Sequence, residues 1–123
     1  MLEPATEQVI CQALQEAREN IEVCGFLLRD RSNAQIFLRV WNSSPGPSQF
    51  SITRGELERV SKYADRCGCK LEAFLHSHAS SLDLSPEDKR MLLSGTIPWV
   101  IVRKGSNKLE QRWHEREVSE DHP

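Results

Sequence analysis

His76 and His78 stand one residue apart at the end of an apolar run, Glu-Ala-Phe-Leu-His76-Ser77-His78. Side chains of a strand alternate faces with a period of two, so both imidazoles would point the same way and form a pair of metal ligands. Downstream, Leu84-Ser85-Pro86-Glu87-Asp88 has the signature of a helix start, and Asp88 falls on the first turn, where a third ligand could arrive. Three protein ligands with one position left to water is the pattern of catalytic rather than structural zinc. Such an ion lowers the pKa of its water towards ~7, which makes a nucleophile for hydrolysis available at neutral pH. Far upstream, Glu22 is a lone carboxylate among apolar neighbours in Ile21-Glu22-Val23-Cys24-Gly25-Phe26-Leu27-Leu28. Held against that water, it could take the proton and hand it to a leaving amine, a contribution of typically ~10² to 10⁴ in rate. The Ser85 hydroxyl could face a developing oxyanion, and it could equally be a helix cap; Asp88 too has a capping reading, since an acid in the first turn favours the helix dipole.

The elements that must position these residues read as helix, strand, strand, helix, strand, short helix, strand, strand. Residues 6 to 19 carry Val9, Ile10, Ala13, Leu14 and Ala17 at helical spacing, which predicts an amphipathic helix opening near Thr6. Val23–Leu28 and Gln35–Trp41 read as adjacent antiparallel strands joined by a hairpin over 29–33. Asn42 to Ser48, with two prolines and a glycine, is a loop, after which Phe50-Ser51-Ile52 resumes extended structure. Thr53-Arg54-Gly55-Glu56 matches a capping box, and Leu57, Val60 and Ala64 continue an apolar face until Gly68 ends the helix. The following strand delivers His76. Ser85 as N-cap with Pro86 at the first position starts the short helix, Gly95 ends it, and strands at 97–102 and 108–113 follow. The tail from about 115 to 123 reads as frayed.

The chain has the size of one domain, residues 1–123, with room for one core. Sixteen basic against 18 acidic residues leave a net charge of −2, so neither nucleic acid nor an anionic membrane surface is expected as partner. The apolar stretches are too short to cross a bilayer and Met-Leu-Glu-Pro lacks a signal-peptide pattern, which makes a cytoplasmic location the expectation. Cys11, Cys24, Cys67 and Cys69 do not form a disulfide framework, and Cys67-Gly68-Cys69 lacks a second pair to complete a metal site; all four read as core or turn residues. Trp41, Trp99 and Trp113 read as core or strand-packing residues. His114 and His122 lack partners at ligand spacing and read as exposed. The His-x-His-x-Asp-His pattern of metallo-β-lactamases fails, because Ser80 and Ser81 stand where it needs Asp and His.

Together, Glu22 before Cys-Gly-Phe-Leu-Leu, the distant His76-Ser77-His78 and Ser85-Pro86-Glu87-Asp88 resemble the JAMM motif of MPN-domain zinc metalloproteases. The likeness extends to Asn42 and its proline-rich loop, to Phe50-Ser51-Ile52 and to Ile97-Pro98-Trp99-Val100-Ile101-Val102. It implies an α/β fold of cytidine-deaminase-like type, with a mixed, curved sheet flanked by helices. It also implies one zinc held by His76, His78 and Asp88, Glu22 as general base and Ser85 as an oxyanion stabiliser. Six residues separate His78 from Ser85 where the family pattern has seven, and Ala79 replaces a frequent proline. The activity implied is hydrolysis of the amide after the C-terminus of a ubiquitin-like or sulfur-carrier-like protein ending in Gly-Gly. The alternatives are a phage-tail-type peptidase, which Ser94 to Val102 resembles, and a non-catalytic MPN scaffold, which would usually lack these ligands.

Overall fold

The computed structural model describes residues 1–17, 22–44 and 50–115. Among them, the elements follow as α1 (Pro4–Glu16), β1 (Cys24–Arg29), β2 (Gln35–Val40), α2 (Arg54–Cys67), β3 (Lys70–Ser77), α3 (Pro86–Ser94), β4 (Trp99–Lys104) and β5 (Leu109–His114). The order is the one read from the sequence. The strands form a mixed sheet in the order β2-β1-β3-β4-β5, in which β3 and β4 run parallel and every other pair antiparallel.

Period-two alternation divides the central strands between two cores. Leu27, Ala73, Leu75, Val100 and Val102 pack with Leu2 and Ile10 on the face that α1 covers. Cys24, Phe26, Leu28, Phe74 and Trp99 pack with Val60 of α2 and Leu92 of α3 on the opposite face. Strands buried on both faces read as continuous apolar runs, as Cys24–Leu28 of β1 and Trp99–Val102 of β4 do before each strand ends in basic residues. By the same parity His76 falls on the face of Phe74, under α2 and α3.

Local chemistry sets the boundaries. The hairpin after β1 is built on Asp30, whose Oδ1 accepts from the backbone of Ser32 and Ala34 at 2.9 Å each, while Asn33 adopts a positive φ of 67°, which asparagine tolerates. Thr53 caps α2 through Glu56 N–H at 3.2 Å, and Gly68 closes it in the left-handed conformation. Helix α1 starts at Pro4, earlier than expected, because proline at the first position pre-sets its φ.

Several expectations are corrected. Trp41 is 69% exposed, just past the end of β2, rather than packed. Val9, Leu57, Met91 and Leu93 lie on the outer faces of their helices, while Ile10, Val60 and Leu92 point inward. Phe50-Ser51-Ile52 forms no strand, although Ser51 O accepts from Ser43 N–H. The strand expected at 97–102 starts at Trp99, since Pro98 cannot donate to a ladder. Cys67 is exposed at the end of α2. His114 is half-buried, with Nε2 2.8 Å from Leu82 O. The expectations for residues 18–19, for 45–48, and for the tail from 116 onward, including His122, lie outside the described residues. No helix among the described residues is long and apolar enough to cross a membrane.

Candidate metal centre

The antiparallel pairing of β1 with β3 sets Cys24 opposite His76, so the residues just before β1 arrive at the C-terminal end of β3. Two hydrogen bonds hold them there: Val23 N–H donates to Ser77 Oγ at 2.8 Å, and Ser77 N–H donates to Val23 O at 2.9 Å. Asn42 adds a third, donating from Nδ2 to Glu22 O at 3.0 Å. Glu22 is thereby carried, buried, against His76, and its Oε1 lies 2.9 Å from His76 Nδ1. A carboxylate can only accept, so Nδ1 carries the proton and Nε2 presents a lone pair.

Asp88 reaches that lone pair from the other side. The capping box of α3 aims it: Asp88 N–H donates to Ser85 Oγ and Ser85 N–H donates back to Asp88 Oδ2, both at 3.0 Å. The carboxylate then lies with Oδ1 3.6 Å from His76 Nε2 and Oδ2 3.2 Å from His78 Nε2. Capping and site geometry are one arrangement, and the choice between them posed by the sequence disappears. Ser85 Oγ accepts from the helix, and its hydroxyl also hydrogen-bonds the Asp88 carboxylate.

His76 Nε2 is fully buried and has no hydrogen-bond partner among the described residues. At 3.6 Å from an acceptor oxygen it is beyond hydrogen-bond reach, and a lone pair facing a carboxylate is repulsive unless a cation lies between. Two ligands ~2.0–2.1 Å from one tetrahedral ion stand roughly 3.3 Å apart, which falls between the two Asp88 separations. An oxygen of Glu22 and one ring nitrogen each of His76 and His78 also lie within 4.8 Å of one another. The donor set of two neutral imidazoles flanked by two carboxylates therefore fits a divalent ion.

The surroundings bury His76 and anchor the loop that leads to Ser85. Rings of Phe50, Trp99 and Phe74 pack around His76 with centroids 4.7, 5.3 and 5.7 Å away. The loop between His78 and Ser85 is tied down from β4 and β5. Arg103 donates to Ser80 O, Arg112 pairs with Asp83, and His114 meets Leu82 O. The hydrogen bond to Asp88 holds His78 above its ordinary pKa, against burial. Burial pushes the Asp88 carboxyl up, but the bonds from His78 and Ser85 outweigh it and leave it low. Burial, reinforced by Glu22, pushes the Cys24 thiol far up, so it stays protonated beside the site and is no thiolate ligand.

All five residues singled out from the sequence meet here. Ser77, Asn42 and the aromatic enclosure were not read as parts of the site. Ser77 carried a signal in sitting between the ligands, and the rings were indistinguishable from core. No family model matches the chain, and no curated protein matches it. The chain is similar in fold to the solution structure of protein DSY2949 from Desulfitobacterium hafniense, at 21% identity over 95% of each chain and a TM-score of 0.67.

Proposed function

We propose that this chain is a zinc-dependent metallopeptidase of the MPN type that hydrolyses the amide after the C-terminus of a ubiquitin-like or sulfur-carrier-like protein. The observation that carries the reading is the buried His76 Nε2, without a hydrogen-bond partner among the described residues, facing the Asp88 carboxylate. His76, His78 and Asp88 would hold the ion, which when bound supplies a nucleophilic water at neutral pH and polarises the amide carbonyl. Glu22 locks the His76 tautomer through one oxygen, as carboxylates behind ligating histidines do. Its other oxygen is then available to accept the proton of the attacking water and return it to the leaving amine. The Ser85 hydroxyl would be the donor for the oxyanion. The aromatic enclosure excludes bulk water from the back of His76, which strengthens each of these interactions.

A modifier ending in Gly-Gly suits this site because it brings backbone to the reacting position without side chains, and an extended tail can be held along a strand edge by backbone hydrogen bonds. Metal analysis of the zinc-supplemented protein, with a release assay on modifier fusions, tests the reading. About one zinc per chain, and cleavage after Gly-Gly that fails when the last glycine becomes leucine, is the expected result. A metal content near zero would overturn the enzymatic reading. Equal rates on glycine and leucine versions would transfer the assignment to a general or phage-type peptidase.

A further inference from the structure

At the C-terminal end of α2, Cys67-Gly68-Cys69 carries two thiols that the metal centre does not use. Gly68 closes the helix at a φ of 62°, and the chain reverses there so sharply that Cys69 N–H donates back to Ala64 O at 2.9 Å. A residue with a side chain takes that conformation only with strain, so the glycine between the cysteines is what lets the turn form. The reversal brings the two thiols into hydrogen-bond contact, and the Tyr63 hydroxyl, one helical turn earlier, bonds Cys67 as well. Their surroundings differ. Cys67 is exposed, while Cys69 is half-buried and burial pushes its thiol above the usual range.

Cys67 also opens onto a groove of about 550 Å³ along α2, shared with Lys62, Tyr63 and Arg66. The acid in its lining, Glu58, is answered by Arg54 at 3.7 Å, and Arg59 is answered by Glu56 at 2.7 Å. Lys62 and Arg66, four residues apart and so on one side of the helix, take part in no ion pair among the described residues. An exposed thiol beside two unanswered cations suits a nucleophile whose partner is an anion.

We propose that Cys67 and Cys69 are a dithiol that exchanges with a small anionic disulfide, of the glutathione disulfide class, docked against Lys62 and Arg66. The exposed Cys67, as thiolate, attacks one sulfur of the disulfide, forming a mixed disulfide and releasing the first small thiol. Cys69 then gives up its proton and attacks the Cys67 sulfur, closing the Cys67–Cys69 bond and releasing the second. The protein dithiol is oxidised by two electrons, the small disulfide is reduced to two thiols, and the two protons leave with them. Thiols already in contact need only a short approach to the ~2.05 Å of a disulfide, and the second step is intramolecular, so the mixed form is short-lived. Neither step involves a side chain of the metal centre, and the dithiol stands whether or not the chain is a peptidase.

The full chain is treated with glutathione disulfide and each cysteine is mapped by alkylation and peptide mass spectrometry, with the half-buried Cys11 and the buried Cys24 as internal controls. The wild type is expected to lose two hydrogens in the peptide that holds Cys67 and Cys69. Cys69→Ala, which keeps the half-buried position apolar, is expected to hold glutathione on Cys67. Cys67→Ser is expected to react at Cys69 at least about tenfold more slowly, since exchange depends on access. Lys62→Glu combined with Arg66→Glu, both at exposed positions, is expected to slow glutathione disulfide about tenfold at low salt and to speed the cationic disulfide cystamine, the reversal that electrostatic steering requires. A glutathione adduct that persists on Cys67 of the wild type would overturn the part given to Cys69. Oxidation confined to Cys11, or to disulfides between chains, would overturn the dithiol itself. Equal rates for the two disulfides, unchanged by the charge reversal, would overturn the groove as the docking site.

Discussion

The two ends of β3 each gather carboxylates, partly exposed at its start and buried at its end, and they treat them in opposite ways. At its start, Glu72 accepts from Arg29 Nε at 3.0 Å and from Gln35 Nε2 at 2.7 Å, while Arg29 Nη1 reaches Glu3 at 2.6 Å. Gln35 closes the network by accepting from Glu3 N–H at 2.8 Å. Each carboxylate there meets a cation or an amide, and the Arg29 bonds hold Glu3 below the usual carboxylate range. At the other end Glu22 and Asp88 face two imidazoles, and among the described residues no arginine or lysine pairs with them and one ring nitrogen is left without a partner. Buried polar groups are almost always satisfied. A complete network locks α1 to the sheet, whereas an incomplete one of metal-ligand chemistry marks where something binds.

The contrast breaks most visibly at the incomplete end. His78→Ala removes one of three ligands and should lower zinc from about one per chain to background, with hydrolysis following, while circular dichroism stays native. Unfolding of the metal-free protein, measured the same way, would instead make the ion structural.

Glu22 separates two roles by two substitutions. The amide oxygen of Glu22→Gln still accepts from His76 Nδ1 but cannot take a proton, so zinc affinity should hold within about tenfold while turnover falls ~10²- to 10⁴-fold. Glu22→Ala loses the orienting bond as well, and zinc affinity should drop ~10- to 100-fold by competition with a chelator. Wild-type turnover of Glu22→Gln would remove it as the base.

The satisfied end predicts the reverse pattern. Arg29→Met leaves Glu3 and Glu72 without their cation and should lower Tm by about 3–6 °C, the equivalent of a single lost interaction in a domain of this size. Zinc content and turnover should remain at wild-type levels, and a loss of zinc would show the two ends to be coupled.

The smallest effect is in pH. His78 has a raised folded pKa in the metal-free protein, so its contribution is complete below its ordinary value of ~6.5 and fades as pH rises through the raised one. Asp88 is lowered, so its contribution holds above ~3.9 and is lost as pH falls through the lower value. Zinc competes with the His78 proton, so its binding strengthens with pH. The Tm difference between zinc-loaded and metal-free protein should therefore widen between pH 5.5 and 7.5, and a gap that stays constant would exclude His78 as a ligand.

Residue type and spacing were enough to single out His76, His78 and Asp88 as candidate ligands, because a strand's period of two aligns His76 with His78, and Ser85-Pro86 starts a helix that sets Asp88 on its first turn. The order of elements was legible for the same local reasons: caps, glycines, prolines and apolar periodicity act within a few residues. What only tertiary structure decided depends on contacts far apart in the chain. The pairing of Cys24 with His76, and the clamp of Val23 by Ser77, 54 residues away, bring Glu22 onto a histidine nitrogen that sequence had left without an assigned partner. Whether Trp99 or Trp41 was buried turned on which side of a strand's end each stood, since Trp99 opens β4 under two helices and Trp41 follows the last paired residue of an edge strand.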